Sequence, residues 1–253
     1  MKIACVHSSS ENAVGAFEEL KKVSEFCPPE EAEVLVALGG DGMLLHSIHQ
    51  YRHLEIPIFG MNRGTVGFLM NQYSSEGLEE RISSASRERL NPLKMQSVDV
   101  SGNREEVIAF NEVSVIRYSG QSANLRISVD GKERIPKLIC DGVLVSTPAG
   151  STAYNLSAHG PIVPLGANVL AITPVSPFRP RRWRGALLPH SSEVLIENLD
   201  PVKRPIGASA DSHEIRDATE IRISEDRESS VEVMFDQSHS LEERIFSEQF
   251  AHG

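Results

Sequence analysis

The sequence predicts an α/β domain followed by an all-β domain, and three observations lead to that prediction. Strand and helix patterns alternate through residues 1–93. From Lys94 onward, short strands with alternating apolar residues dominate. The pair Asn91-Pro92 separates the two patterns, and 253 residues are enough to build two hydrophobic cores. We therefore predict an α/β domain over 1–93 and a β-rich domain over 94–236, with the tail 237–253 packing back on the first domain.

Strands and helices of the predicted α/β domain follow one another in turn. The predicted strands are Lys2–His7, Val34–Leu38 and Ile56–Gly60, and the predicted helices are Asn12–Phe26, Met43–Tyr51 and Ser74–Ser84. The first helix carries Val14, Phe17 and Leu20 at helical spacing. This order is typical of a Rossmann-like parallel sheet covered by helices, in which ligands bind at the carboxyl ends of the strands.

The predicted β-rich domain consists of short strands separated by turn residues. The predicted strands are Lys94–Val100, Val107–Tyr118, Asn124–Val129, Glu133–Leu138, Val143–Ser146, Val169–Ile172, Glu193–Glu197, Glu220–Ser224 and Ser230–Phe235. Asp130-Gly131 predicts a type I′ hairpin turn between two of them. In the tail, Leu241–Phe250 has its apolar residues on one face of a predicted helix.

The composition excludes several classes of protein. A net charge of −10 argues against non-specific binding to nucleic acid or anionic membranes, which requires an excess of Lys and Arg. No apolar run approaches the roughly 20 residues of a membrane-spanning helix. Cys5, Cys27 and Cys140 lack metal-ligand spacing and indicate a reducing compartment. We therefore expect a cytoplasmic protein without a metal site formed by its own side chains.

The segment Leu38–Leu44 reads Leu-Gly-Gly-Asp-Gly-Met-Leu and follows a buried-strand pattern. Glycines there let the backbone approach a phosphate chain, and a helix N-terminus offers unpaired N–H groups. Asp41 is the one carboxylate in this loop. One interpretation is that it positions or deprotonates an attacking hydroxyl in phosphoryl transfer. The other is that Asp41 is the N-cap of the helix at a structural corner.

A second polar segment, Asp141–Ser157, concentrates small and hydroxylated residues between Ser146 and Thr152. Such a loop offers hydroxyl and backbone groups to a polar ligand, although an ordinary surface turn has a similar composition. Further on, Asp211 and His213 follow a run of small residues, and this pattern suggests another ligand-facing strand end.

Four motifs in order resemble those of the NAD kinase family. They are Gly39–Gly42, Asn62–Leu69 (Asn-Arg-Gly-Thr-Val-Gly-Phe-Leu), Asn111-Glu112 and Asp141–Ser157, and the resemblance runs from about Val34 to Pro189. It implies an α/β domain, a β-sandwich-like C-terminal domain, and an active site between the two. It also implies transfer of the γ-phosphate of ATP to the 2′-hydroxyl of the adenosine ribose of NAD, with a divalent cation such as Mg²⁺.

The resemblance also implies roles for individual residues. Asp41 would orient and deprotonate the hydroxyl, Asn111 and Glu112 would bind the adenosine half of the dinucleotide, and Asp141 would bind its nicotinamide riboside end. The remaining implied contacts are Gly39, Gly40 and Gly42 around the phosphates, and Thr152, Ala153, Tyr154 and Ser157 at the adenine and ribose. At Cys140, Ala149 and His159 this chain departs from the pattern of its relatives.

The resemblance implies a homodimer or homotetramer. Arg179–Arg184, which contains Trp183, is our candidate for part of the subunit contact, and phosphate binding is its other interpretation. Two other functions remain open from the residues. A lipid or sphingoid kinase shares the glycine–aspartate motif, and a non-catalytic dinucleotide-binding protein would use the same polar residues.

Overall fold

The computed structural model describes residues 1–64, 67–181 and 183–236. The chain forms two compact units, the first made of Met1–Leu90 together with the segment that begins at Ser229, and the second of Asn91–Glu228. The helix predicted at Leu241–Phe250, and the predicted packing of the tail, lie outside the described residues. No helix in the described ranges is long and apolar enough to cross a membrane.

Strands outnumber helices in the described residues. The strands are β1 (Ile3–His7), β2 (Val34–Gly39), β3 (Ile58–Asn62), β4 (Asn71–Gln72), β5 (Ser86–Leu90), β6 (Leu93–Asp99), β7 (Arg104–Ala109), β8 (Glu112–Arg117), β9 (Ala123–Val129), β10 (Lys132–Cys140), β11 (Gly142–Ser146), β12 (Val169–Val175), β13 (Ala186–Pro189), β14 (Val194–Asn198), β15 (Ile206–Ala210), β16 (His213–Ile215), β17 (Ala218–Glu225) and β18 (Val231–Phe235). The helices are α1 (Glu11–Leu20), α2 (Asp41–Tyr51), α3 (Leu78–Ser84) and the single turn α4 (Tyr154–Ser157), and 3₁₀ turns lie at Pro29–Glu31, Arg52–Leu54 and Ala149–Thr152.

The sheet of the first unit has the order β1-β2-β3-β18-β5, with β4 beside β3. All its pairings are parallel except the one between β18 and β5. Every residue of β2 is buried, as expected for a parallel strand covered on both faces. Val34, Val36 and Leu38 share a core cluster with α1 and α3 residues, while α2 buries Leu44 and Ile48. The predicted α/β class is therefore confirmed.

Capping residues decide where the first two helices begin. The Ser10 hydroxyl accepts from the N–H of Ala13 at 3.3 Å and caps α1. Gly40 is the N-cap of α2, so that helix begins at Asp41, two residues before the predicted Met43. The carboxyl ends of β2 and β3 and the N-terminus of α2 therefore meet at the glycine motifs.

β18 differs from the prediction, which assigned Ser230–Phe235 to the β-rich domain. It pairs with β3 and β5 in the first sheet. Asn71 Nδ2 donates to the Met234 carbonyl at 2.9 Å, and Arg81 and Asp236 form an ion pair of 2.6 Å. An alternating apolar pattern predicts a strand but does not specify its partner, so this return to the first sheet was not predictable from the pattern.

The second unit contains two antiparallel six-stranded sheets, with orders β10-β9-β14-β17-β6-β7 and β13-β12-β11-β8-β15-β16. Side chains from both sheets form one core cluster, which includes Met95, Val115, Val145 and Ile221. This is the predicted β-sandwich-like arrangement. Between β9 and β10, Asp130 and Gly131 both have positive φ, as a type I′ turn requires.

The strand predicted at Val107–Tyr118 is two strands, β7 and β8, which belong to different sheets. The chain leaves one sheet and enters the other at Phe110 and Asn111. The Asp211 carboxylate accepts the N–H groups of both residues, at 2.7 and 2.9 Å, so they pair with a side chain instead of a neighbouring strand. This crossing point is part of the candidate site.

Candidate functional site

The first unit brings its two glycine motifs together through Asp41. The carboxylate accepts the N–H of Phe68 at 2.8 Å through Oδ2 and that of Leu69 at 3.0 Å through Oδ1. The N–H of Arg63 donates to the carbonyl of Gly39 at 2.7 Å. Asp41 is thus the first residue of α2, and Gly40 is the N-cap. Thr65 and Val66, in the second motif, lie outside the described residues.

The glycines of these loops allow close packing and an accessible backbone. A Cβ at Gly39 would lie 2.5 Å from Met43 Cβ, and one at Gly64 would lie 3.2 Å from Gly40 Cα. A Cβ at Gly42 would meet nothing within 4 Å, and Gly42 is exposed. The first turn of α2 is therefore open to solvent at Gly42, which lets an anion such as a phosphate approach the helix N-terminus.

A cavity of about 630 Å³ lies beside this turn, between the end of β1 and α2. The residues that line it are Cys5, Val6, His7, Ser8, Ser9, Phe17, Gly42, Met43, His46, Gln50 and Tyr51. Its size is within the range of small-molecule sites, and it combines aromatic faces with hydroxyl groups. The sequence analysis did not single out Ser8 and Ser9, because a Ser pair before a helix is equally typical of an N-cap.

In the second unit, the carbonyls of the Asn111 segment are held by Thr147. The Thr147 hydroxyl donates to the Phe110 carbonyl at 2.7 Å, and its backbone N–H donates to the Asn111 carbonyl at 3.0 Å. Gly150 packs so closely here that a Cβ would lie 2.1 Å from the Asn111 oxygen. The loop Asp141–Ser157 and the pair Asn111-Glu112 are therefore neighbours in this unit.

Glu112 is the carboxylate of this cluster. The backbone N–H of Tyr154 lies near this carboxylate and partly offsets the rise in its pKa, while Oε2 is buried and has no hydrogen-bond partner among the described residues. Burial, and to a smaller degree the nearby negative charge of Asp211, raise the pKa of Glu112 to about 7. An orphaned carboxylate oxygen is costly, so a ligand hydroxyl that donates to Oε2 would gain a favourable site.

The segment after Thr147 forms a 3₁₀ turn over Ala149–Thr152 and the single helical turn α4. Asn155 fixes it from inside: its Nδ2 donates to the carbonyls of Ser151 and Pro161, and its Oδ1 accepts the Thr173 hydroxyl at 2.7 Å. The predicted contact residues Thr152, Ala153, Tyr154 and Ser157 lie along this turn, next to Glu112. Tyr154 is 38% exposed, so its ring face is accessible.

Asp141 is not brought to this cluster. Glu112 pairs with Ser146 at the far end of β11, whereas Asp141 immediately precedes the first residue of that strand. At the usual rise per residue, the backbone positions of Asp141 and Ser146 lie about 17 Å apart along the strand. Arg117 Nε instead donates to Asp141 Oδ1 at 2.5 Å, a pairing that local sequence patterns do not predict.

Two further predictions have structural outcomes. Trp183 is partly buried and packs against the core of its own unit, so the structure does not support it as an anchor for a partner. Phe178 is half-exposed and lies beneath the guanidinium groups of Arg179 and Arg181. Arg182 lies outside the described residues. No group of three or more His, Cys, Asp or Glu side chains that could hold a metal ion occurs within the described ranges.

A glycine loop with one carboxylate at a helix N-terminus, together with a polar cluster in an all-β unit, defines a two-domain phosphotransferase. The N-terminal domain model of the ATP-NAD kinases matches residues 2–89, and their C-terminal domain model matches 110–233. The chain therefore belongs to the ATP-NAD kinase family. This membership sets aside the lipid kinase interpretation.

Individual relatives agree with the family assignment. The chain is 57% identical to the NAD kinase of Caulobacter vibrioides over 88% of this chain and 86% of that one, and 50% identical to the NAD kinase of Rhizobium meliloti over 98% and 97%. A solved structure of an NAD kinase from Archaeoglobus fulgidus in complex with ATP superposes with a TM-score of 0.77 and 25% identity, with 100% of each chain covered. Yeast NADH kinase complexed with NADH shares the fold, with a TM-score of 0.85 at 22% identity, and covers 100% of this chain and 89% of that one.

Proposed function

We propose that this chain transfers the γ-phosphate of ATP to the 2′-hydroxyl of the adenosine ribose of NAD, producing NADP and ADP. The main observation in support is the position of Asp41, at the start of α2 and bonded to the second glycine motif. A carboxylate fixed in this way has one orientation relative to the N–H groups of α2. It can therefore align a hydroxyl with a phosphate bound at the helix N-terminus.

The chemical step forms a bond between the 2′-oxygen and the γ-phosphorus and breaks the bond from that phosphorus to the β–γ bridging oxygen. The bridging oxygen leaves with its electron pair on ADP, and the hydroxyl proton goes to Asp41. A secondary hydroxyl is a poor nucleophile, and general-base help of this kind typically contributes about 10²–10⁴-fold. The remaining acceleration comes from alignment and charge neutralisation.

Binding of the dinucleotide is assigned to the second unit. Glu112 would accept ribose hydroxyls through Oε2, Asn111 would pair with the purine edge, and Tyr154 would offer its ring face. The proposed contact of Asp141 with the nicotinamide riboside end stays a prediction, because this carboxylate is remote from Glu112 within one chain and is already paired with Arg117.

ATP is assigned to the cavity beside Gly42, whose aromatic and hydroxyl lining suits a nucleoside and its phosphates. Mg²⁺ is normally held by one or two carboxylates, water and substrate phosphates, and a cage of protein side chains is not required. The residues here fit that mode, with Asp41 as the protein ligand. The bound cation would neutralise the charge of the transferring phosphate.

We also propose that the chain assembles as a homodimer or homotetramer and is cytoplasmic. The edge strand β13, with Leu187 54% exposed, and the arginine-flanked Phe178 are the candidate contacts in the second unit. Exposed strand edges and aromatic residues flanked by arginines are common in subunit interfaces. The free cysteines Cys5, Cys27 and Cys140 fit a reducing compartment.

The test is an assay of NADP formation from NAD, ATP and Mg²⁺ with wild type, Asp41→Asn and Glu11→Gln. Glu11 is a matched control because it is the first residue of α1, as Asp41 is of α2, and carries the same charge. We expect Asp41→Asn to lower kcat by about 10²-fold or more, and Glu11→Gln to leave it unchanged. Wild-type turnover in Asp41→Asn would reduce Asp41 to a structural residue, and no NADP from wild type would overturn the proposed function.

A further inference from the structure

Asp211 sits on the turn between β15 and β16 and directs its carboxylate at the backbone of the neighbouring β7–β8 junction. Its Oδ2 accepts the N–H of Phe110 at 2.7 Å, and its Oδ1 accepts those of Asn111 at 2.9 Å and Glu112 at 3.4 Å. Its own N–H donates to the Glu112 carbonyl at 3.2 Å. One side chain thus holds three consecutive residues where the chain passes from one sheet to the other.

The conformation of Asp211 is itself unusual. It has φ +48, in the left-handed region that non-glycine residues rarely adopt. Aspartate tolerates this region better than most residues, and here the turn geometry places its carboxylate on the adjacent strand end. A residue in this unusual conformation, whose carboxylate accepts three N–H groups of one motif, is a candidate for function.

We propose that Asp211 is a positioning residue for dinucleotide binding, which fixes the Asn111-Glu112 backbone so that Glu112 Oε2 faces the substrate ribose. This inference rests on the proposed function, because it assumes that Glu112 accepts the ribose hydroxyls of NAD and that Asp211 sets the orientation of Glu112. The backbone N–H of Tyr154 also lies near Glu112 and lowers its pKa. Oε2 of Glu112 is buried and has no hydrogen-bond partner among the described residues, so it is the oxygen available to the ribose.

The negative charge of Asp211 should give this role a pH dependence that a purely structural contact would not have. Among the described residues, Asp211 is the charged side chain that raises the pKa of Glu112, while His213 of β16 and Glu105 of β7 bond to each other at 2.6 Å. Asp211 favours the protonated form of Glu112. Because the ionised carboxylate is the stronger acceptor for ribose hydroxyls, the KM for NAD should fall as pH rises through the Glu112 titration.

The experiment compares Asp211→Asn with Asp130→Asn. Asp130 is a matched control: it also lies on a hairpin turn with φ +52 and accepts a backbone N–H, that of Glu193 at 2.9 Å, but does not contact the Asn111 segment. In Asp211→Asn, the amide nitrogen opposes one of the three N–H donors. We expect the KM for NAD to rise about tenfold, with the KM for ATP nearly unchanged.

The pH profile of the KM for NAD then separates positioning from a general structural role. In Asp211→Asn its midpoint should move to lower pH, because the neighbouring negative charge is lost, while Asp211→Glu, which keeps the charge, should retain the wild-type midpoint. Asp130→Asn should match wild type in both readouts. An unchanged KM for NAD and an unchanged midpoint in folded Asp211→Asn would overturn the proposal.

The outcomes also separate this proposal from the proposed function. If wild type makes no NADP, the proposed function fails, and equilibrium binding of NAD to the same variants tests the role of Asp211 directly. If Asp211→Asn does not fold, the KM for NAD and the pH midpoint of Asp211→Glu are measured instead. A midpoint that differs from that of the wild type would then overturn the proposal. If neither variant folds, Asp211 is a folding residue only and the proposal is overturned.

Discussion

Replacing Glu112 by Gln should make the protein more stable at alkaline pH, although it removes a side chain of the candidate site. The pKa of Glu112 is raised from its ordinary value of 4.5 to about 7, chiefly by burial. Below pH 4.5 the carboxyl is protonated in the folded and unfolded states, so it contributes no difference. Between these two values the unfolded chain releases its proton first, and the stability of the wild type falls as pH rises.

The size of the effect follows from the pKa difference. One pKa unit corresponds to about 1.36 kcal/mol, so ionised Glu112 costs the folded state up to about 3 kcal/mol above pH 7. Gln keeps one acceptor oxygen near the Tyr154 N–H, but its amide nitrogen needs a new partner, which offsets part of the gain. We therefore expect a net stabilisation of about 1–2 kcal/mol, or a Tm increase of roughly 2–8 °C.

Thermal unfolding of wild type, Glu112→Gln and Glu228→Gln at about pH 5 and about pH 8.5 tests this reasoning. Glu228 is exposed and undergoes the same chemical change, so its variant should show no pH-dependent gain. The stabilisation by Glu112→Gln should be less than half as large at the lower pH. An equal stabilisation at both pH values, or a loss of stability at the higher pH, would show that ionised Glu112 does not destabilise the folded protein.

Three further predictions concern the loops of both units. Thr147→Val keeps the volume but leaves the Phe110 carbonyl without its hydroxyl donor, so it should lower the free energy of unfolding by about 1–3 kcal/mol in urea titrations. His159 has φ +62, so His159→Val should cost about 1–2 kcal/mol by calorimetry while His159→Gly costs little; equal costs would refute the backbone argument. His46→Ala should raise the KM for ATP severalfold without changing the KM for NAD in steady-state kinetics. A change in the KM for NAD alone would contradict the assignment of ATP to the cavity beside Gly42.

The sequence predicted the elements better than it predicted their partners. Periodicity and turn residues identified the α/β and all-β regions, and Asp130-Gly131 forms the expected hairpin. Strand register and sheet membership depend on contacts between distant segments, which local patterns do not encode. For that reason the prediction for β18 was wrong about its sheet, and β7 and β8 were predicted as one strand.

The same limit applies to the candidate site. Motif spacing selected Asp41, Asn111, Glu112 and Tyr154, whose residue types suit the chemistry. It could not predict that Asp41 bonds the second glycine motif, nor that Asp211 holds the Asn111 segment, because these contacts join residues far apart in the chain. Each depends on the folded backbone to bring a carboxylate to an N–H group.

The return of the chain to its first sheet has a consequence for the order of folding during synthesis. β5 finds its only sheet partner among the described strands in β18, and β3 gains its second long neighbour there. During synthesis, the sheet of the first 90 residues therefore stays incomplete until β18 leaves the ribosome. Asn91–Glu228 emerges before β18 as one continuous segment that contains all the strands of its own core. We therefore expect Asn91–Glu228 to complete its folding before the first unit does. A truncation before Val231 would leave the glycine-loop unit with an open, aggregation-prone strand edge.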